Sequence, residues 1–183
     1  MSTPWRIASL AVAAAVVASC GANQASTPAR PSAASPPASV SVTLADNSTP
    51  AQLQFTAKTV DGRDFNGPSL LGKPAVLWFW APWCTTCQAE APSVGRIAAA
   101  HPAVTFIGVA GLDQVSAMQQ FVAKYPVGGF TNLADTDGLV WAKFGVTEQP
   151  AFAFIEPDGG ITVVKGELSE SDLNQRVAAL PAA

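Results

Sequence analysis

Two cysteines separated by two residues, in Trp83-Cys84-Thr85-Thr86-Cys87, carry the chemistry that this sequence most clearly offers. Side chains at that spacing bring their sulfurs to bonding distance without distorting the backbone, so the pair can cycle between a disulfide and two thiols. The two positions are not equivalent. Apolar residues at helical intervals follow the pair, which puts Cys84 at the start of a helix, where unbonded amides and the positive end of the helix dipole favour thiolate over thiol. In such settings a cysteine pKa falls from about 8.5 to roughly 3.5–7.5, enough to supply an attacking sulfur near neutral pH. Cys84 is therefore the expected nucleophile. Cys87, one turn further in, is the expected resolving thiol, which attacks a mixed disulfide and releases the partner.

Other uses of such a pair fit less well. A zinc site takes about four ligands, and beyond the pair the chain has one further cysteine, Cys20, and a single histidine, His101. Haem attachment needs a histidine directly after the second cysteine, where Gln88 stands. A copper carrier of the Sco type would use a wider cysteine spacing and a suitably placed histidine. His101 precedes Pro102 at an expected helix end and reads as a surface or capping residue. No metal ligand set is expected. A structural disulfide and a thiol-based metal- or partner-binding module remain as alternatives to redox chemistry.

The elements that must position the pair follow from periodicity. Leu53, Phe55 and Ala57 alternate with polar residues, Asp61-Gly62 marks a turn and Arg63 to Phe65 returns, giving a leading hairpin. Ala75 to Trp80 is a continuous apolar run, expected as the central strand of a sheet covered on both faces. Alternation puts Trp78 and Trp80 on one side, packed against a helix, whereas Trp83 is expected near the surface, touching partners. Cys87, Ala91, Val94 and Ala98 predict a helix from about Cys84 to near Ala100, interrupted by Pro92. A second strand–helix unit spans Val104 to Val122, with Asp113 as the helix cap. A short strand at 130–133, a short helix at 139–144, a hairpin of 151–156 with 161–165 and a closing helix from Ser169 complete the pattern. Strands and helices alternate before a late hairpin, which predicts an α/β fold with a mixed sheet and helices on both faces. Asp113, Glu156 and the other scattered carboxylates read as solvated residues or caps.

The chain has 183 residues, 49% hydrophobic and 13% charged, with a net charge of -3. That suits one packed domain and gives no basic cluster for a nucleic acid. Met1 to Ser19 carries Arg6 and then the apolar run Ile7 to Val17, a signal-peptide pattern too short for the roughly 20 residues of a membrane-spanning helix. Val17-Ala18-Ser19-Cys20 resembles a bacterial lipobox with Val17 in place of the commoner leucine, so Cys20 is expected to be lipidated; the alternative is a secretory signal with an incidental cysteine. Residues 20–50 are rich in Ala, Ser, Thr and Pro and suit an extended tether, in which Val40 to Leu44 could still pair as an edge strand. The organisation expected is a signal peptide over 1–19, a lipid-anchored linker over 20–50 and a folded domain over 51–183.

Trp83-Cys84-Thr85-Thr86-Cys87 after a buried strand resembles the active site of the thioredoxin superfamily, specifically its exported TlpA-like and Dsb-like branch, over about Phe55 to Leu180. The leading hairpin, the extra βα unit and the lipobox bring the chain closest to secreted lipoproteins of actinobacteria. The resemblance implies a thiol:disulfide oxidoreductase of thioredoxin fold with no cofactor beyond the Cys84–Cys87 disulfide. It implies that Pro150 is cis and faces the disulfide, that Gln149 offers its backbone to a bound extended peptide, and that a helix proline such as Pro92 belongs in the family. Thioredoxin's buried aspartate is replaced by Trp78, while Glu90 lies where TlpA-like reductants carry an active-site glutamate. Glu90 is thus a candidate to move the proton of Cys87, the alternative being a solvated helix carboxylate. Thr85 and Thr86 replace thioredoxin's Gly-Pro, and their hydroxyls could donate to Cys84 sulfur, stabilising the thiolate and tilting the protein towards an oxidant. The function expected is disulfide formation in exported proteins, with reduction of apocytochrome in cytochrome c maturation as the alternative. Expected partners are reduced or misoxidised exported proteins, a membrane redox protein that recycles the pair, and the membrane itself through the Cys20 anchor; the chain is expected to be monomeric.

Overall fold

The computed structural model describes residues 49–183; the leader, Cys20 and Val40 to Leu44 lie outside them. Seven strands and four helices follow in the order β1 Thr56–Thr59, β2 Asp64–Asn66, β3 Ala75–Trp80, α1 Thr85–Ala100, β4 Thr105–Gly111, α2 Val115–Lys124, β5 Thr131–Asp135, α3 Leu139–Lys143, β6 Ala151–Ile155, β7 Ile161–Lys165 and α4 Glu170–Ala178. All seven strands join one sheet in the order β2-β1-β5-β4-β3-β6-β7. β3, β4 and β5 run parallel, and the hairpins β1–β2 and β6–β7 add antiparallel edges. The apolar run of β3 is thus interior, but β4 takes the middle place, because the leading hairpin docks beyond β5 and widens that side.

The sheet has a core on each face. Val76, Trp78 and Trp80 of β3 pack with Ala91, Val94 and Ile97 of α1, Met118 and Phe121 of α2, and Leu173 and Val177 of α4. Leu77 and Phe79 face the other way, onto Val140 and Trp141 of α3 and onto Leu53 and Phe55. The thioredoxin-like architecture with helices on both faces is therefore as expected, and β4 with α2 forms the second βα unit, between α1 and the later strands. The closing helix starts as read: Ser169 caps α4 by accepting the Asp172 amide at 3.1 Å.

Two local expectations differ. Leu53 does not begin a strand but lies in a 3-10 turn, because the carbonyl of Pro50 accepts the Leu53 amide at 2.9 Å and turns the chain inward. Asp113 does not cap α2. Its carboxylate accepts the amide of the very next residue, Gln114, at 2.7 Å, and Gln114 occupies the cap position without a side-chain bond. A carboxylate that caps is instead Asp135 at the end of β5, which is buried and accepts the amides of Val140 and Trp141 at 3.1 and 2.9 Å.

Gly108 in β4 shows how tightly the strand carrying Trp80 is packed against its neighbour. A Cβ at residue 108 would lie 2.0 Å from Asn132 Oδ1 and 2.9 Å from Trp80 Nε1, both on buried side chains. The Asn132 amide cannot swing away freely, since its Nδ2 donates to the carbonyls of Val127 and Phe130. Gly108→Ala is expected to destabilise the domain by about 1–3 kcal/mol, read as a lower urea midpoint at unchanged slope.

Candidate active site

The last residue of β3, Trp80, leads through Ala81-Pro82-Trp83 into Cys84, whose amide bonds back to the Ala81 carbonyl at 3.1 Å. Cys84 is the N-cap of α1, with extended backbone angles (φ -73°, ψ 110°), and its sulfur accepts the amide of Cys87 at 3.0 Å. This is the bond a serine or aspartate makes at the same position, here made by the reactive sulfur. Cys84 and Cys87 form a disulfide across Cα atoms 5.2 Å apart. Cys84 is 6% exposed and Cys87 is wholly buried, so an incoming sulfur reaches the first and not the second.

The expectation for the threonines concerns the Cys84 thiolate, whereas here Cys84 is joined to Cys87 in the disulfide. Thr85 is exposed and Thr86 half-buried, and neither hydroxyl bonds to Cys84 sulfur; among the described residues the donor to that sulfur is the Cys87 amide. The reason is positional. The capping side chain folds back over the first turn, where the third amide reaches it, while the side chains of the first two helical residues radiate away from the axis.

Trp83 is exposed, as its neighbourhood suggested, and its indole N–H donates to the Leu112 carbonyl at 3.2 Å. Gln88 closes the other side of the turn by donating to the Pro82 carbonyl at 2.9 Å. The Gln149–Pro150 bond is cis. Ala151 pairs with Phe79, so Pro150, one residue earlier, stands level with the end of β3 from which the chain runs to Cys84. Pro150 is buried and Gln149 half-exposed. α1 continues through Pro92 to His101, the C-cap, whose ring contacts Asn174 of α4 at 2.8 Å.

Glu90 is not a solvated carboxylate. It is buried, its Oε1 accepts the Trp78 indole N–H at 2.6 Å, and its Oε2 has no partner. Burial raises its pKa from 4.5 to about 7 against the opposing pull of the Trp78 indole and the Leu168 amide, with a small addition from the charge of Glu167. The sequence placed Glu90 beside Cys87 on α1 and read Trp78 as core packing alone, so it missed their pairing. The available signal was that a buried indole N–H seeks an acceptor. Among the described residues, no group of three or more His, Cys, Asp or Glu converges to hold a metal ion.

Residues 49–164 match the AhpC/TSA family, which is more than half of the chain. The chain belongs to the AhpC/TSA family. It is 55% identical over 132 residues to the soluble secreted antigen MPT53 of Mycobacterium tuberculosis, a match covering 70% of this chain and 76% of that one. A structure of DsbF from the same organism, in mixed oxidised and reduced forms, is 70% identical, with a TM-score of 0.72 over 73% of this chain and 99% of that one. A secreted M. tuberculosis disulfide oxidoreductase described as homologous to E. coli DsbE is 55% identical, with a TM-score of 0.68 over 70% and 98% of the two chains. With its thioredoxin-like fold and its coupled cysteines, this AhpC/TSA member is a thiol:disulfide oxidoreductase.

Proposed function

We propose that the protein is an exported oxidant that forms disulfides in other exported proteins. The observation that carries the direction is Cys84 as the N-cap of α1, its sulfur already accepting a helix amide. When the disulfide is reduced, the charge that develops on Cys84 meets that amide and the positive end of a 16-residue helix. Stabilising the reduced form in this way makes the oxidised form a stronger oxidant.

The exchange runs in two displacements. A client thiolate bonds to Cys84 sulfur, the Cys84–Cys87 bond breaks, and Cys87 leaves with the electron pair and takes a proton. Glu90, one turn beyond Cys87 and protonated below about pH 7, is the proposed proton source. A second client thiolate then attacks the client sulfur of the mixed disulfide, Cys84 leaves as thiolate, and the client keeps the new disulfide. The protein has gained two electrons, which a membrane redox partner must remove. Gln149 and the Pro150 loop are proposed to hold the client segment in extended form beside Cys84. Export follows from the leader at residues 1–19 and accords with the description of MPT53 as soluble and secreted; anchoring through lipidated Cys20 is proposed from the lipobox alone.

Glu90 also favours a second reading. Above pH 7 its buried negative charge opposes a thiolate on the same helix and pushes the pair towards a reductant, the role considered for cytochrome c maturation. The reduction potential against glutathione decides between them. The oxidant reading expects a value nearer about -120 mV than about -270 mV, and a value at the thioredoxin end defeats it.

A further inference from the structure

Among the described residues, three buried side-chain polar atoms lack a hydrogen bond: Trp80 Nε1, Asn132 Oδ1 and Glu90 Oε2. All three belong to one line of contacts under α1 and α2. Strands β3, β4 and β5 set Trp78, Gly108 and Asn132 side by side in one row, and Trp80 follows Trp78 on the same face. Over Gly108, which has no side chain to fill the space, two edges converge. Asn132 Oδ1 lies 2.0 Å, and Trp80 Nε1 2.9 Å, from the point that a Cβ would occupy. One is an acceptor and the other a donor. The Asn132 amide is pinned, because its Nδ2 donates to the carbonyls of Val127 and Phe130 at 2.9 and 3.0 Å, which leaves Oδ1 on the side of Gly108. The Trp80 indole stacks on Phe121 of α2 at 4.1 Å and on Trp78 at 5.7 Å. Stacked rings settle offset from one another and slide in their own plane at little cost, so an edge contact must fix where the indole stops. Trp78 in turn donates its N–H to Glu90 Oε1 at 2.6 Å.

We propose that Asn132 is a positioning residue for Glu90: its side-chain carbonyl receives the Trp80 N–H, fixes the Trp80–Trp78 stack, and so keeps the Trp78 N–H on the Glu90 carboxyl. Pairing satisfies two groups whose burial is otherwise penalised. The inference rests on Glu90 as the proton source of the exchange. Loosening the Trp78 bond takes a partner from the charged carboxylate, so the titration of Glu90 moves up. From outside α1 the charge acting on Glu90 is that of Glu167, between β7 and α4, while β3 brings the neutral Trp78. On α1 itself Cys87 is held in the disulfide, and Arg96 pairs with Glu170 of α4. Neutral substitutions at Asn132 and Trp80 leave every one of these charges in place.

The test follows the Trp78 indole N–H resonance of the oxidised whole chain by NMR through the neutral pH range. In the unmodified protein it is expected to titrate near the Glu90 value of about 7, and in Glu90→Gln not to titrate. Asn132→Ser removes the acceptor, and Trp80→Phe removes the donor while keeping a ring. Each is expected to raise the midpoint by about half a pH unit, and the double variant by no more than either alone. A midpoint that stays in place in either folded variant, or shifts that add in the double variant, overturns the proposal. Trp80→Phe leaves the bonds of Asn132 to Val127 and Phe130 intact, so it decides alone should Asn132→Ser not fold. The rate of disulfide reduction by dithiothreitol, read relative to the unmodified protein at each pH, is expected to shift with the midpoint. A rate profile that stays in place while the Trp78 resonance moves instead removes Glu90 from the proton transfer on which the inference rests.

Discussion

Cys84→Ser is expected to lose thiol exchange by at least about a thousandfold, because no other described side chain can take over the bond-forming step. A serine hydroxyl at the N-cap still accepts the Cys87 amide, so the start of α1 keeps its hydrogen bond and the loss reports chemistry rather than folding. Cys87→Ser is expected to behave differently. Its partner Cys84 still attacks, but the buried resolving thiol is gone, so client proteins accumulate as adducts on Cys84. Non-reducing electrophoresis and mass spectrometry with a mixture of reduced and disulfide-bearing clients distinguish the two: adducts with Cys87→Ser, none with Cys84→Ser. Equal trapping by both variants would contradict the assignment of nucleophile and resolving thiol.

Glu90→Gln is expected to change how stability depends on pH. The native pKa of Glu90, about 7, lies above its ordinary value of 4.5, so between those pH values the native state holds a proton that the unfolded chain has released. Stability from this group is therefore complete below about pH 4.5 and declines as pH rises towards 7. The gap between the two values converts to about 3 kcal/mol. Glutamine keeps the acceptor for the Trp78 indole and cannot ionise, so the variant should match its parent near pH 4 and exceed it near pH 8 by an amount of that order. Asp61 and Glu170, whose carboxyls sit below their usual range through Thr59 and Arg96, titrate in the opposite sense at lower pH, but they are common to both proteins and cancel in the comparison. Urea midpoints between pH 4 and 8 measure the difference, and parallel profiles would show that Glu90 is not the titrating group.

The frame of the molecule was readable because its signals are local. The six-residue apolar run of β3, the helical spacing after Cys87 and the Pro157-Asp158-Gly159-Gly160 turn each specify an element within one short window. The cysteine pair was readable for the same reason, as spacing plus a helix start. What was not readable depends on residues far apart or on backbone angles. The Trp78–Glu90 bond joins a strand to a helix and follows from their packing, which no window contains. Leu112 carries no sequence mark of a left-handed angle, because leucine is not a residue chosen for one. The cis bond before Pro150 was accessible only by resemblance, a proline alone being far more often trans.

The burial of one sulfur and slight exposure of the other also bears on survival under peroxide stress. A peroxide would meet Cys84 and convert it to a sulfenic acid, while Cys87, sealed beneath it, would escape direct attack. Condensation with Cys87 then expels water and regenerates the disulfide before a second oxygen can be added, so the damage that permanently inactivates solitary thiols is here diverted into the ordinary resting form.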